Sequence, residues 1–259
     1  MRAAMIALLV SVAGSASPTF AASPQEGAVQ VGRPGCADDV AVRATRELIH
    51  FDSRGRPVRG YLYTPRGEAN GLGIVMLHGG TGFEMNSILF DAHAIQLASR
   101  GYRVLLPAYF DVAQPERTRR TLTARAWRQV ALDAVEALQA EPGMARGGVT
   151  LWGYSRGAAV ALLAATGEDS PVTSAVLVAG GGELEEDLAG RQAAFLLLHA
   201  RRDEAVPVRT TRRLAEDLRG AGAWVEIEEL AFDGHQYDLP TWCSVFGRTR
   251  AFVSARSGN

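Results

Sequence analysis

Not one lysine occurs in the chain; all 27 basic side chains are arginine. That absence excludes a phosphate-loop lysine, a Schiff-base lysine for pyridoxal phosphate and a Ser–Lys dyad. Chemistry has to be run by Ser, His, Asp, Glu, Tyr, Arg or Cys. There is no His-Glu-x-x-His and no Cys-x-x-Cys, and the other His and acidic residues show no ligand spacing, so no metal is expected. Gly180-Gly181-Gly182 fits neither a dinucleotide fingerprint nor a phosphate loop, so no cofactor is expected either. Charge of one sign is also lacking. A formal net charge of −1 argues against nucleic acid or an acidic membrane as the main partner. Beyond the N-terminal segment, no apolar run reaches membrane-spanning length.

That N-terminal segment has the form of a secretory leader. Arg2 is a short positive region, residues 3–12 are apolar, and Pro18 breaks the run. Thr19-Phe20-Ala21 sets suitable residues for a cut after Ala21, with Ala16 as an alternative. An uncleaved anchor is the competing reading. The expectation is an exported chain, periplasmic or secreted, with a leader over residues 1–21 and a polar, extended lead-in over 22–44. One domain follows, over 45–259.

Within that domain short apolar runs alternate with helical patterns. Strands are expected at 46–51, 58–64, 72–78, 102–106, 148–152, 173–179, 194–198 and 224–230. Several are apolar on both faces, as buried parallel strands are. Helices are expected at 88–100, 123–141, 155–166, 208–221 and 239–255. The pattern implies an α/β fold with a mostly parallel sheet of about eight strands and helices on both faces. The link 180–193 is too short to hold a lid domain.

The strongest local signal is Gly153-Tyr154-Ser155-Arg156-Gly157. Alone the pattern is weak; its setting between an apolar strand and a small-residue helix gives it meaning. In such a strand–turn–helix the central side chain stands above the sheet, and the glycines allow the close approach. Serine needs a base and an orienting acid. Asp203 follows one buried strand and His235 follows the last, in the order Ser155…Asp203…His235. His78-Gly79-Gly80-Thr81-Gly82 follows the 72–78 strand and suits an oxyanion hole. Its donors would be the backbone N–H groups of Gly80 and Arg156.

On these residues the chain resembles the α/β-hydrolase superfamily and is most similar to the dienelactone hydrolase family. The stretches concerned are His78–Gly82, Ala98-Ser99-Arg100-Gly101-Tyr102 with the following strand, Gly153–Gly157, Asp203-Glu204-Ala205-Val206-Pro207 and Gly234-His235. The resemblance implies an α/β-hydrolase fold without a lid. The family's namesake enzymes carry Cys where this chain has Ser155. Serine points to a carboxylic ester hydrolase acting on a small-molecule ester. A peptidase or thioesterase with the same three residues, or a noncatalytic binding protein on the same fold, are the alternatives.

Other residues have plainer expectations. Tyr109 and Phe110 follow a strand end and would line the pocket, with core or rim packing as the alternative. His78 would order its loop, while His93 and His199 would be structural and His50 exposed. The pairs Arg119-Arg120, Arg201-Arg202 and Arg212-Arg213 would be solvated, although Arg201 or Arg202 could meet a substrate carboxylate. Trp127, Trp152, Trp224 and Trp242 would be core. The two cysteines, Cys36 and Cys243, permit one intramolecular pairing. An oxidising compartment favours it, and the bond would pin the lead-in onto the last helix.

Overall fold

The computed structural model describes residues 35–114, 120–185, 188 and 190–256. The expected leader (residues 1–21), the first part of the expected lead-in and Arg119 lie outside them. Two compact units divide the chain after Gln30, and everything described belongs to the second.

Eight strands form one sheet: β1 (Ala44–Ser53), β2 (Arg56–Pro65), β3 (Gly73–Leu77), β4 (Arg103–Pro107), β5 (Val149–Tyr154), β6 (Ser174–Val178), β7 (Ala194–Arg202) and β8 (Trp224–Asp233). Their order is β1-β2-β4-β3-β5-β6-β7-β8. The β1–β2 hairpin joins antiparallel to β4, and the remaining pairs are parallel. The fold is that of an α/β-hydrolase. Every residue of β3, β5 and β6 is buried, so these read as mostly apolar runs, the buried Thr150 and Ser174 hydroxyls pairing with each other at 2.7 Å. The edge strand β8 alternates and carries acids. Glu228 pairs with Arg248 and Glu229 with Arg212, which keeps this edge charged.

Five helices cover the sheet: α1 (Phe83–Ala98), α2 (Arg120–Gln139), α3 (Arg156–Thr166), α4 (Val208–Gly220) and α5 (Leu239–Arg256). One core joins α2, α3 and α4 to one face through Val130, Ala134, Leu138, Ala161 and Leu214. A second core joins α1 and α5 to the other face through Phe90, Ile95, Trp242 and Phe246. Among the described residues no helix is long and apolar enough to cross a membrane.

The described part of the lead-in is fastened to α1 and α5. Gln96 accepts from the Val40 N–H and donates to the Val40 carbonyl, both at 2.9 Å. Arg100 donates to the Asp38 carbonyl and Arg250 pairs with the Asp38 carboxylate. Cys36 and Cys243 are joined by a disulfide with a Cα–Cα distance of 5.5 Å.

Three expectations fail here. Helix α1 begins at Phe83, five residues earlier than the periodicity suggests, because Asn86 and Ser87 are polar yet buried. Strand β7 runs on through His199 to Arg202. Trp224 is 42% exposed and not core, its ring lying beneath the Arg256 guanidinium at 3.4 Å. Trp127, Trp152 and Trp242 are buried, and His50 is exposed.

Candidate active site

Ser155 sits between β5 and α3 with φ 54° and ψ −115°. A non-glycine residue there is strained by about 1–3 kcal/mol, and the surroundings must hold it. Its N–H donates to the Val178 carbonyl at 2.8 Å. The flanking glycines are required: a Cβ on Gly153 would lie 2.2 Å from the Gly157 carbonyl oxygen, and one on Gly157 would lie 2.1 Å from that of Leu77. Gly180, just past β6, is pressed against the same turn, since its Cβ would fall 2.4 Å from the Ser155 carbonyl oxygen.

Two neighbouring strand ends bring the other residues to Ser155. His235 Nε2 is 2.9 Å from Ser155 Oγ, and His235 Nδ1 is 2.7 Å from Asp203 Oδ2. The other Asp203 oxygen accepts the N–H groups of Ala205 at 2.9 Å and Val206 at 2.8 Å. These three donors fix the orientation of the carboxylate, whose side chain is wholly buried. Because Asp203 accepts, His235 Nδ1 carries its proton there, leaving Nε2 to accept from the serine hydroxyl.

The loops carrying these side chains are tied together. Gly234 N–H donates to the Arg202 carbonyl at 2.9 Å, and Ala200 N–H donates to the Tyr237 hydroxyl at 3.1 Å. The Tyr154 hydroxyl donates to the His235 carbonyl at 2.8 Å, and its ring stacks near the imidazole at 5.4 Å. Burial raises the Tyr154 pKa to about 12, so it stays a donor. Arg202 is exposed and pairs with Asp233 at 3.0 Å.

The loop after β3 closes another side. His78 has no exposed surface, and burial lowers its pKa to about 4, so the ring is neutral. Its Nδ1–H donates to the Gly79 carbonyl at 2.9 Å, and its ring stacks on Tyr109 at 4.0 Å. The loop-ordering role expected of His78 matches this packing. Tyr109 is 0% exposed and donates its hydroxyl to the His78 carbonyl at 2.7 Å; Phe110 is 8% exposed and packs edge-on against His78. Both lie in the layer beneath the loop, packing where a pocket wall was the alternative.

Asn86 was not singled out from the sequence, yet it organises the loop. Its Oδ1 accepts the Gly79 N–H at 3.1 Å, while Nδ2 donates to Thr81 Oγ1 and the Gly82 carbonyl, each at 2.7 Å. The Gly79 N–H is therefore occupied. The next N–H, that of Gly80, and the N–H of Arg156 have no acceptor among the described residues. The exposed Arg156 guanidinium lies beside Gly80, within 3.4 Å of where a Cβ would stand, and over the Trp127 ring at 5.7 Å. A cleft of about 420 Å³ lies elsewhere, between the β1–β2 turn and α2, and holds none of Ser155, Asp203 or His235.

A family model described as the dienelactone hydrolase family matches residues 58–238. No curated protein matches the chain. Among solved structures, a dienelactone hydrolase-like promiscuous phosphotriesterase from metagenomic libraries is similar at 20% identity. The TM-score is 0.69, with 82% of this chain and 98% of that one covered. Est1E from Butyrivibrio proteoclasticus is similar at 16% identity and TM-score 0.61, over 80% and 99% of the two chains. An acylaminoacyl peptidase from Pyrococcus horikoshii is 18% identical with TM-score 0.63; 82% of this chain matches, but this spans only 41% of the peptidase. These structural likenesses concern the fold.

Proposed function

The chain belongs to the dienelactone hydrolase family, and from that premise we propose that it is an exported serine hydrolase of small-molecule carboxylic esters. The observation that carries the reading is the unbroken relay from Ser155 Oγ through His235 to Asp203 Oδ2, at 2.9 and 2.7 Å, on a serine at positive φ. A partly exposed serine and histidine backed by a buried acid, in this order, form the constellation that nucleophilic catalysis requires.

In the proposed mechanism His235 Nε2 takes the Ser155 proton as Oγ bonds to the ester carbonyl carbon. The carbonyl π electrons move onto oxygen, where the Gly80 and Arg156 N–H groups stabilise the oxyanion. Each such donor contributes on the order of 10²–10³ in rate. Collapse expels the alcohol, protonated by His235, and leaves an acyl-serine. Water, deprotonated by the same imidazole, then releases the acid and restores Ser155. Asp203 keeps the Nδ1 tautomer and stabilises the imidazolium formed in each half.

Export is supported by the leader-like N-terminus and by the Cys36–Cys243 disulfide, which an oxidising compartment maintains. The test is hydrolysis of a short p-nitrophenyl ester. Ser155→Ala should lower kcat by at least about 10³ with little change in stability. Full activity in that variant contradicts the reading.

A further inference from the structure

His199 lies in β7, ahead of Asp203, and its side chain has no exposed surface. Its Nε2 is 2.8 Å from the Val206 carbonyl oxygen and 3.3 Å from Asp203 Oδ2. Neither partner can donate, so Nε2 carries a proton. Burial pushes the imidazole pKa down, with the Val206 carbonyl and Asp203 pulling the other way, so the ring is neutral and Nδ1 accepts. The Thr211 hydroxyl of α4 stands 2.7 Å from Nδ1 and also donates toward the Gly180 carbonyl at 3.1 Å, so its one hydrogen is shared between the two acceptors. The single Nε2–H is thus shared between a carbonyl and the same carboxylate oxygen that accepts His235 Nδ1–H at 2.7 Å.

We propose that His199 is a positioning residue for the Ser155–His235–Asp203 relay, its Nε2–H fixing Asp203 Oδ2 and drawing off part of the carboxylate charge. The proposal rests on the hydrolase reading of that relay. Val206 and Asp203 fix the Nε2–H tautomer, and the Thr211 hydroxyl bridges Nδ1 and the Gly180 carbonyl, so α4 and the Gly180 turn beside Ser155 are joined to the acid through one imidazole. A carboxylate relieved of part of its charge holds the His235 proton less strongly, which keeps the general base free at lower pH.

The groups facing His199 are few. Asp203 and His235 lie on one side, and Glu229, its register partner in β8, is already held by Arg212 at 2.6 Å. The Tyr237 hydroxyl is taken by the Ala200 N–H, and the Tyr154 hydroxyl by the His235 carbonyl. Arg201 is exposed. None of these supplies a second donor to Asp203 Oδ2 among the described contacts.

The experiment compares wild type with His199→Leu, His199→Gln and Thr211→Val. It follows the pH profile of kcat/KM on a short p-nitrophenyl ester, and the downfield proton resonance of His235 Nδ1–H. Leucine removes the donor. It should lower kcat about tenfold with KM little changed, move the acid limb up by about half a pH unit or more, and shift the resonance. Glutamine, whose amide Nε2 reaches nearly the same point, should restore most of kcat and return the limb to its wild-type place. Thr211→Val should move the limb the same way as leucine, by less. A folded leucine variant with lowered Tm but unmoved limb and resonance overturns the proposal. If leucine does not fold, an unmoved limb and resonance in Thr211→Val overturn it instead. Absence of ester turnover in the wild type would sink the hydrolase reading alone, since the resonance comparison decides the role of His199 without substrate.

Discussion

Acid should loosen this fold through buried histidines, and His93 allows the effect to be measured one residue at a time. It sits in α1 with 5% of its surface exposed, its ring stacked on Phe246 of α5 at 4.3 Å. Burial lowers its pKa from 6.5 to about 4, partly opposed by Asp39 and reinforced by Arg250. Between those two values the unfolded chain binds a proton that the folded chain refuses. Stability is therefore fully present above pH 6.5 and is lost as the pH falls toward 4. At about 1.36 kcal/mol per pH unit, the loss from His93 alone reaches about 3 kcal/mol by pH 4. His93→Phe keeps an aromatic ring against Phe246 and removes the titration. Urea unfolding should be followed by tryptophan fluorescence at several pH values from 7 to 4. The gap in unfolding free energy between the proteins should move by about 3 kcal/mol in favour of the variant. His78 and His199, also shifted down, are present in both proteins and cancel. Parallel pH dependences would refute the reasoning.

Two further outcomes follow from the packing. Gly157→Ala forces a Cβ to 2.1 Å from the Leu77 backbone oxygen and should cost at least about 3 kcal/mol, whereas Gly67→Ala, with nothing within 4 Å, should be near neutral; chemical denaturation of both decides. Cys36→Ser opens a closed loop of sequence separation 207, worth on the order of 5 kcal/mol in the chain-entropy picture. The Tm should fall by roughly 5–15 °C, and an unchanged Tm in calorimetry would contradict a stabilising bond.

The sheet was legible because strands buried on both faces are predominantly apolar, as in β3, β5 and β6, and a residue-by-residue pattern suffices to see them. Ser155 and Asp203 were legible as candidates because each stands just past a buried strand and His235 because it follows the last strand, while glycines at 153 and 157 mark a turn that tolerates no Cβ. What stayed hidden depends on side-chain partners that an apolar–polar pattern does not display. Asn86 looks like a break in a helical pattern until its side chain is seen satisfying Gly79, Thr81 and Gly82. His199 looks like the end of a strand until Asp203 and Thr211 are placed around it. Tyr109 follows a strand end, where pocket residues are common, but its hydroxyl is taken by the His78 carbonyl and its ring by the imidazole. Trp224 carries the largest apolar side chain of β8, yet an edge strand leaves it half covered, and Arg256 provides the lid.

The central claim is that Ser155 is an activated nucleophile. A fluorophosphonate probe applied to the folded, oxidised chain, followed by peptide mass spectrometry, tests it without knowledge of the substrate. A single phosphonyl adduct on Ser155 is expected, abolished in Ser155→Ala and strongly slowed in His235→Ala. An unlabelled wild-type protein, or an adduct on another residue with Ser155 untouched, would contradict it.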